Sequence, residues 1–250
     1  MGLSYQEELT LPFELCDVKS DIKLPLLLDY CLMVSGRQSA QLGRSNNNLL
    51  VDYKLVWIVT DYEITIHRLP HFQETITIET KALSYNKFFC YRQFYIYDQE
   101  GGLLVDILAY FALLNPDTRK VATIPEDLVA PFKTDFVKKL HRVPKMPLLE
   151  QSIDRDYYVR YFDIDMNGHV NNSKYLDWMY DVLGCEFLKT HQPLKMTLKY
   201  VKEVSPGGQI TSSYHLDQLT SYHQIISDGQ LNAQAMIEWR AIKPIESETD

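Results

Sequence analysis

The order of apolar and polar positions predicts one long helix among several strands, and then predicts the same order a second time. The first helix is a mostly apolar run that begins near Pro25, a residue suited to a first helical turn, and ends near Leu42. Alternating or apolar runs bounded by turn-forming residues predict the strands around it. These strands cover residues 4–16, 55–68, 73–85, 88–98 and 103–115.

The pattern changes after residue 115. Prolines recur, and a basic run covers residues 133–145. Thr123 and Glu126 have the spacing of a capping box, which predicts a short helix at this point. We therefore predict three segments: an N-terminal unit at residues 1–130, a connector at 131–150 and a C-terminal unit at 151–250.

The C-terminal unit repeats the plan of the first. A strand at 155–163 leads into a helix that runs from about Asn172 to Leu188. Residues 245–250 are polar and predict a frayed tail. Four more strands are predicted at 194–204, 208–217, 220–228 and 231–242.

A comparison of the two halves supports an internal repeat. A shift of 148 residues places Asp17 on Asp165, and residues 28–30 on 176–178. Further along, a shift of 136 residues places Pro70 on Pro206. The identities are sparse, but the shared order of elements indicates duplication. A long helix wrapped by a curved antiparallel sheet is the hotdog unit, so we predict an α+β fold of two tandem hotdogs whose sheets can pair edge to edge.

Composition narrows the class of protein. The chain has 250 residues and a net charge of −8, which does not favour nucleic acid as a partner. We find no apolar run of roughly 18 residues, the length needed to span a membrane, and no signal or transit peptide, so we expect a cytoplasmic protein. The widely spaced cysteines predict reduced, buried thiols rather than disulfides or a zinc site. They are Cys16, Cys31, Cys90 and Cys185.

The candidate chemistry precedes the second helix. Asp165, Asn167 and His169 alternate, so in an extended segment or open turn their side chains point to one side. Burying such a cluster is unfavourable unless its members pair with each other or with a ligand. Glu203 ends the next predicted strand, where a carboxylate can orient an imidazole and share its proton.

Only one half carries this chemistry, because Lys19 and Asp21 stand where the second half has Asn167 and His169. The backbone N–H groups of residues 168–171 open the helix and predict a site for negative charge. Together with the polar cluster, they fit attack on a thioester carbonyl, with the oxyanion at the helix N-terminus.

Each of these residues also has an ordinary structural interpretation. His169 could cap the helix, Asp165 could form a turn, and Glu203 could be a surface carboxylate. Asn171 is better explained as a cap than as a catalytic residue. Only the combination in one half of a repeat favours chemistry.

The sequence around these residues resembles the acyl-ACP thioesterases, the enzymes that end fatty acid synthesis by releasing the acyl chain from acyl carrier protein (ACP). The D-x-N-x-H run at 165–169 and the strand that ends in Glu203 carry the resemblance. Further similar segments lie at 57–72, 117–120 and 124–126, so the resemblance covers nearly the whole chain. The family often has a cysteine directly after the glutamate, but this chain has Val204, so a thiolate nucleophile cannot be required there.

The resemblance implies hydrolysis of acyl-ACP to free fatty acid and holo-ACP, without a metal or other cofactor. It assigns the catalytic network to Asp165, Asn167, His169 and Glu203. Substrate contacts are expected at Gly168, which lets the backbone approach a ligand, and at Val170. The choice between a general base and a transient anhydride stays open.

The N-terminal half is expected to bind the acyl chain. Its helix is the more apolar of the two, and Leu28, Leu32 and Trp57 are candidates for the tunnel wall, with ordinary core residues as the alternative. The expected partner is ACP, and both a monomer and a homodimer are compatible with the sequence. An acyl-CoA thioesterase and a non-catalytic acyl-chain binder are the alternative functions. Because ACP is acidic, docking needs cations; the candidates are Arg160, Lys174, Lys195, Lys199 and Lys202.

Overall fold

A computed structural model describes residues 2–242 of the chain. The frayed tail predicted at 245–250 lies outside the described residues. The strands are β1 (Ser4–Thr10), β2 (Val56–Ile66), β3 (Thr75–Tyr85), β4 (Phe89–Tyr97), β5 (Leu103–Leu114), β6 (Val121–Ala122), β7 (Asp135–Phe136), β8 (Ile153–Tyr158), β9 (His191–Tyr200), β10 (Gln209–Asp217), β11 (Thr220–Ser227) and β12 (Gln230–Ala241). The helices are α1 (Leu24–Gln41), α2 (Asn46–Asn48), α3 (Glu126–Val129), α4 (Asn172–Asp181) and α5 (Cys185–Thr190).

The strands form one sheet, whose order shows two copies of a single arrangement. The order is β1-β3-β4-β5-β2 in the N-terminal half and β9-β12-β11-β10-β8 in the C-terminal half. The halves join through the antiparallel pair of β2 and β9, in which Tyr62 faces Leu198. The prediction of two tandem hotdogs with edge-to-edge sheets is confirmed.

One hydrophobic core lies between the sheet and the two long helices. Alternate residues of the central strands, such as Ile64 and Leu198, point into it. Leu27 of α1 and Leu176 of α4 pack against them and are fully buried. Because these residues belong to one cluster, the two halves share a core, and α1 lies against α4.

The backbone hydrogen bonds show the repeat more clearly than the sequence does. The N–H of Asp17 donates to the carbonyl of Asp21 at 2.8 Å, and the N–H of Asp165 donates to the carbonyl of His169 at the same distance. We call residues 17–21 the N-terminal turn and residues 165–169, which include three of the predicted catalytic residues, the catalytic turn. Each turn follows a short 3-10 helix, Phe13–Leu15 or Tyr161–Asp163, so the shift of 148 residues is correct here.

The later shift of 136 residues is wrong. The N–H of Leu11 donates to the carbonyl of Glu74, and the equivalent N–H of Val159 donates to the carbonyl of Gly208. The β1–β3 and β8–β10 registers agree with this pair and require a shift of 134 residues. The position equivalent to Glu203 is therefore Leu69.

Three other expectations need correction. The second helix does not reach Leu188 unbroken, because α4 ends at Asp181 and Gly184, with φ +84°, separates it from α5. The first strand ends at Thr10 rather than near residue 16. Of the cysteines, only Cys31 is buried.

The connector crosses the sheet on the face opposite the long helices. After β7 it passes Tyr91, whose hydroxyl accepts a hydrogen bond from the backbone N–H of His141 at 3.0 Å. Farther along, the carbonyl of Pro147 accepts a hydrogen bond from the Gln234 amide at 3.3 Å. This path carries the chain from the β3 side of the sheet to β8, so α4 and the catalytic turn lie on the same face as α1.

Candidate active site

The carboxylate of Asp165 holds the catalytic turn together. Its Oδ1 accepts hydrogen bonds from the backbone N–H of Asn167 at 2.8 Å and of His169 at 3.1 Å. Its Oδ2 accepts one from the Asn167 amide at 3.3 Å. Gly168 has φ +80°, a conformation that favours glycine, and its N–H closes the turn on the Asp165 carbonyl. Asp165 thus positions Asn167 and His169 through the backbone.

The polar cluster is largely solvated, so the cost of burying it does not arise. Asn167 and His169 are exposed, and Asp165 is half-buried. The buried carboxylate is that of Asp163, which accepts hydrogen bonds from the backbone and guanidinium of Arg160. Burial alone would raise the pKa of Asp163, but these hydrogen bonds outweigh it and leave the pKa below its ordinary value. Asp163 therefore has a structural role.

Glu203 lies beside the catalytic turn, as predicted. Its Oε1 is 3.8 Å from Nδ1 of His169, and both side chains are about half exposed. Its Oε2 accepts a hydrogen bond from the guanidinium of Arg119. Arg119 belongs to the N-terminal half, in the loop between β5 and β6, so the two halves meet at this carboxylate.

The backbone at Glu203 is fixed by residues that the sequence reasoning did not select. The Asn232 amide donates to the carbonyls of Lys202 and Glu203 at 3.3 and 3.2 Å. Its oxygen accepts hydrogen bonds from the backbone N–H and hydroxyl of Ser227. Asn232 is almost fully buried, and the equivalent position in the first half is Leu104, whose carbonyl makes the matching strand-end contacts. An amide in the second half where the first half has a leucine is the sequence signal that could have identified Asn232.

Most of the backbone donors expected at residues 168–171 are already used. Gly168 and His169 donate to Asp165, and Asn171 donates to the carbonyl of Asp163. Within residues 2–242, the N–H of Val170 has no acceptor, whereas the equivalent N–H of Ile22 donates to the carbonyl of Pro70 at 2.8 Å. Val170 is therefore the available donor among residues 168–171. The expected cap is present, because the side chain of Asn171 accepts from the N–H of Ser173.

The three residues predicted for the tunnel wall have different surroundings. Leu28 is buried in the shared core. Trp57 packs in a separate cluster with Leu49 and Leu113 and contacts the ring of Phe111 edge-on. Leu32 is half-buried on α1 and is equivalent to Tyr180 in the repeat.

A cavity of about 730 Å³ opens beside the N-terminal turn rather than the catalytic turn. Its wall includes Asp17 and Lys19 of that turn. None of the four predicted catalytic residues lines it.

Comparison with known protein families shows which family the chain belongs to. A family model for the acyl-ACP thioesterase N-terminal domain matches residues 2–132, and one for the C-terminal domain matches residues 147–241. The chain belongs to the acyl-ACP thioesterase family. The predicted relationship and the hotdog fold are both confirmed.

Curated thioesterases are distant relatives of this family member. A chloroplast acyl-[acyl-carrier-protein] hydrolase of Cuphea viscosissima is 28% identical over 207 residues, which cover 74% of this chain and 49% of the relative. The oleoyl-acyl carrier protein thioesterase of Coriandrum sativum is 24% identical over 245 residues, covering 90% of this chain and 66% of the relative. The chain spans about half the length of the first of these relatives.

Solved structures match over nearly the full length of this acyl-ACP thioesterase family member. A Lactobacillus plantarum protein assigned as an oleoyl thioesterase is 31% identical, with a TM-score of 0.91 and coverage of 97% of this chain and 98% of that one. The 12:0-ACP thioesterase of Umbellularia californica has a TM-score of 0.83 at 19% identity, covering 97% and 99% of the two chains. The second likeness shows the fold alone.

Val204, which follows Glu203 where the acyl-ACP thioesterase family often has a cysteine, is buried. The side chain of Val204 lies in the shared core, and its N–H donates to the hydroxyl of Tyr175 at 2.8 Å. Burial raises the pKa of the Cys31 thiol above its ordinary value. In the described part of the chain, no cluster of three or more His, Cys, Asp or Glu side chains is arranged to hold a metal ion.

No helix from residue 2 to residue 242 is long and apolar enough to span a membrane.

The predicted docking cations do not form one patch. Met196 and Leu198 of β9 point into the core. Lys195 and Lys199, one on each side of this pair in the sequence, therefore point to the opposite face of the sheet. Arg160 lies on the side of the catalytic turn and is bound to Asp163. Lys174 is paired with Asp177 at 2.7 Å, and Lys202 with Gln230.

Proposed function

We propose that the protein hydrolyses acyl-ACP thioesters to free fatty acid and holo-ACP. The observation that carries the proposal is the meeting of Asn167, His169 and Glu203 at the N-terminal end of α4, in a chain of the acyl-ACP thioesterase family. An amide, an imidazole and a carboxylate supply the groups that thioester hydrolysis needs. The names of the relatives given above support ACP as the carrier.

In the proposed reaction, His169 and Glu203 act as a pair on water. Nδ1 of His169 faces Glu203, which leaves Nε2 to take a proton from water as the water oxygen attacks the carbonyl carbon. The carboxylate stabilises the imidazolium that forms, and Arg119 holds the carboxylate in place. The carbon–sulfur bond then breaks, and His169 returns the proton to the leaving thiolate.

The oxyanion that develops on the carbonyl oxygen needs donors already in position. The backbone N–H of Val170 is available, and the exposed Asn167 amide retains a second N–H beyond the one bound to Asp165. Asp165 would act by holding the turn rather than by touching the substrate. Gly168 would contribute the backbone conformation that brings the Val170 N–H to the site.

Steady-state hydrolysis of acyl-ACP tests this assignment. Glu203→Gln and His169→Ala should each lower kcat/KM by about 10²- to 10⁴-fold, the usual contribution of general acid–base catalysis. Asn167→Ala should lower it by about 10²- to 10³-fold. Glu186→Gln changes an exposed carboxylate on α5 and is the matched control. Near-normal turnover by folded Glu203→Gln and His169→Ala proteins would refute the proposal.

We further propose that ACP docks on the exposed surface around the catalytic turn. Tyr161, Phe162 and Met166 are all more than 80% exposed, and an apolar patch of this kind marks an interaction site. A carboxylate at position 166 should repel the acidic carrier, so Met166→Asp should raise KM for acyl-ACP about 10-fold without lowering kcat. Val18, its exposed equivalent on the N-terminal turn, gives the control Val18→Asp, which should leave KM unchanged. Equal effects of the two substitutions would exclude this surface.

The carrier is tested by the same kinetics on paired acyl-ACP and acyl-CoA substrates of one chain length. We expect the higher kcat/KM for acyl-ACP. A preference for acyl-CoA that persists across chain lengths would assign the protein to acyl-CoA hydrolysis instead.

A further inference from the structure

The cavity of about 730 Å³ is lined by residues of both halves and lies beside the N-terminal turn. One wall is formed by Lys19 of that turn and by Leu69. The opposite wall comes from the C-terminal half and is largely aromatic or apolar: Trp178, Tyr180, Leu188 and Trp239. Its volume is within the range of about 300–1,000 Å³ found for small-molecule sites.

The repeat identifies this cavity as the counterpart of the active site. The N-terminal turn has the same hydrogen bonds as the catalytic turn: the carboxylate of Asp17 accepts from the backbone N–H of Lys19 at 2.8 Å and of Asp21 at 3.1 Å. Leu69 occupies the position of Glu203. Two paired hotdog units create two such positions, and this one has kept the turn and its adjoining space.

The residues that carry chemistry in the catalytic turn are engaged otherwise here. Nζ of Lys19 donates to the carbonyls of Leu188 and His191 at 2.8 and 3.0 Å. The carboxylate of Asp21 accepts from the Gln192 amide at 2.6 Å. Leu69 stands in place of the glutamate, and the Ile22 N–H is bound to Pro70. Asp21, which stands in place of His169, is paired with His71 at 2.7 Å, and neither residue lines the cavity. The carboxylate–imidazole pair beside the catalytic turn therefore has no counterpart in this cavity wall.

One polar group in this wall lacks a partner. The hydroxyl of Tyr180 is buried and makes no hydrogen bond within residues 2–242. Buried hydroxyl groups are normally hydrogen-bonded. Its equivalent in the first half is the apolar Leu32, so only the C-terminal half carries a hydroxyl at this position of the repeat.

The charges around the cavity favour an uncharged ligand head group. Lys19 is bound to backbone carbonyls, Lys23 donates to the carbonyl of Glu14 at 2.9 Å, and Arg160 is held by Asp163. Each of these cations is already bound to an oxygen atom of the protein. The wall carries four carboxylates, those of Asp17, Asp156, Asp177 and Asp181, against these three cations, and this negative balance disfavours a fatty acid anion.

We propose that this cavity is a second, non-hydrolytic binding site for an acyl chain with an uncharged carbonyl head, such as an ester or thioester. The chain would lie against Trp178, Leu188 and Trp239, and the carbonyl oxygen would accept a hydrogen bond from Tyr180. The site is distinct from the proposed catalytic centre, and binding there does not depend on hydrolysis.

Photo-crosslinking of the full chain tests the proposal. The probe is a dodecanoic acid methyl ester with a diazirine in its chain, and the labelled residues are mapped by mass spectrometry. We expect the segment 178–188 and Trp239 to be labelled, and we expect this labelling to saturate as the probe concentration rises. Label confined to residues around the catalytic turn, or none near these positions, would overturn the inference.

Two substitutions make the test specific. Leu188→Trp fills the cavity and should abolish the label there, while Tyr180→Phe, which keeps the ring, should weaken probe affinity about 3- to 10-fold through loss of one hydrogen bond. Leu32→Trp, at the position equivalent to Tyr180, is the control and should leave this label unchanged. If folded Leu188→Trp protein is labelled at the cavity as strongly as the unmodified chain, the inference is wrong. Acyl-ACP hydrolysis is measured separately, so its absence would count against the proposed function and not against this site.

Discussion

Asp29 is a carboxylate whose removal should stabilise the protein. It lies half-buried on α1, where α1 packs against α4. Burial raises the pKa of Asp29 to about 6, and the neighbouring Ser173 hydroxyl and Lys174 ammonium offset only part of this increase. The repulsion of Asp177 raises it further. Ionisation of Asp29 is therefore less favourable in the folded protein than in the unfolded chain, and this difference lowers the free energy of unfolding.

The magnitude follows from the difference between the folded pKa of about 6 and the ordinary value of 3.8. Below pH 3.8 the group is neutral in both states, and its full contribution to stability is present. As the pH rises through 6, the unfolded chain has already ionised, and the folded state loses up to about 3 kcal/mol. An asparagine at this position would be neutral at every pH. Asp29→Asn should therefore raise the free energy of unfolding by about 2–3 kcal/mol at pH 7.5 and by only about 1 kcal/mol at pH 4.5.

Urea unfolding, followed by tryptophan fluorescence at the two pH values, measures this difference. The control is Asp177→Asn, which changes the equivalent residue of α4. Asp177 is 40% exposed and paired with Lys174, so its substitution should change stability by no more than about 0.5 kcal/mol. If Asp29→Asn shows no gain at pH 7.5, or an equal gain at both pH values, the raised pKa of Asp29 is not the cause of any change in stability.

Three further substitutions give distinct expectations. Lys19→Met removes an ammonium that is only 9% exposed and leaves two carbonyls of the C-terminal half unpaired, so it should lower stability by about 2 kcal/mol in urea unfolding; an unchanged midpoint would contradict this contact. Leu32→Trp should shift the released fatty acids to shorter chains, as seen by gas chromatography, and an unchanged profile would remove Leu32 from the tunnel wall. Val204→Cys should give no gain in hydrolysis rate, because the side chain lies in the core; a clear gain would reopen a thiolate mechanism.

The sequence predicted the elements well because their signals are local. Alternation along each strand and the long apolar run of α1 follow from which face each residue buries. Their ends are correct to within a few residues, apart from the first strand, the second helix and the strand predicted at 155–163, which ends at Tyr158. The break after α4 was missed because its cause, Gly184 with φ +84°, is a single residue inside an otherwise helical pattern. The register of the second half was missed by two residues because Pro70 and Pro206 match by coincidence at a shift of 136, whereas hydrogen bonding requires 134.

The candidate active site was only partly predictable, because some of its residues come together only in the folded chain. His169 and Glu203 carry a recognisable motif, and the structure places them 3.8 Å apart. Arg119 reaches Glu203 from the other half of the chain, and no periodicity in the sequence relates two loops that meet across an interface. Asn232 was detectable in principle, because it places an amide where the repeat has Leu104, but only after the correct register is known.

Comparison of the two turns separates the residues that build the site from those that react. Asp17 and Asp165 make the same two backbone hydrogen bonds, so an aspartate is needed at this position whether or not the turn has chemistry. Its presence in both halves therefore indicates a role in the fold. The difference between the halves lies at the next positions, where Lys19 is fixed by carbonyls of the other half while Asn167 and His169 remain exposed to solvent. Since Arg119 of the N-terminal half binds the carboxylate beside His169, the proposed catalytic centre belongs to both halves. One turn of the duplicated pair holds the halves together, and the other carries the residues proposed for catalysis.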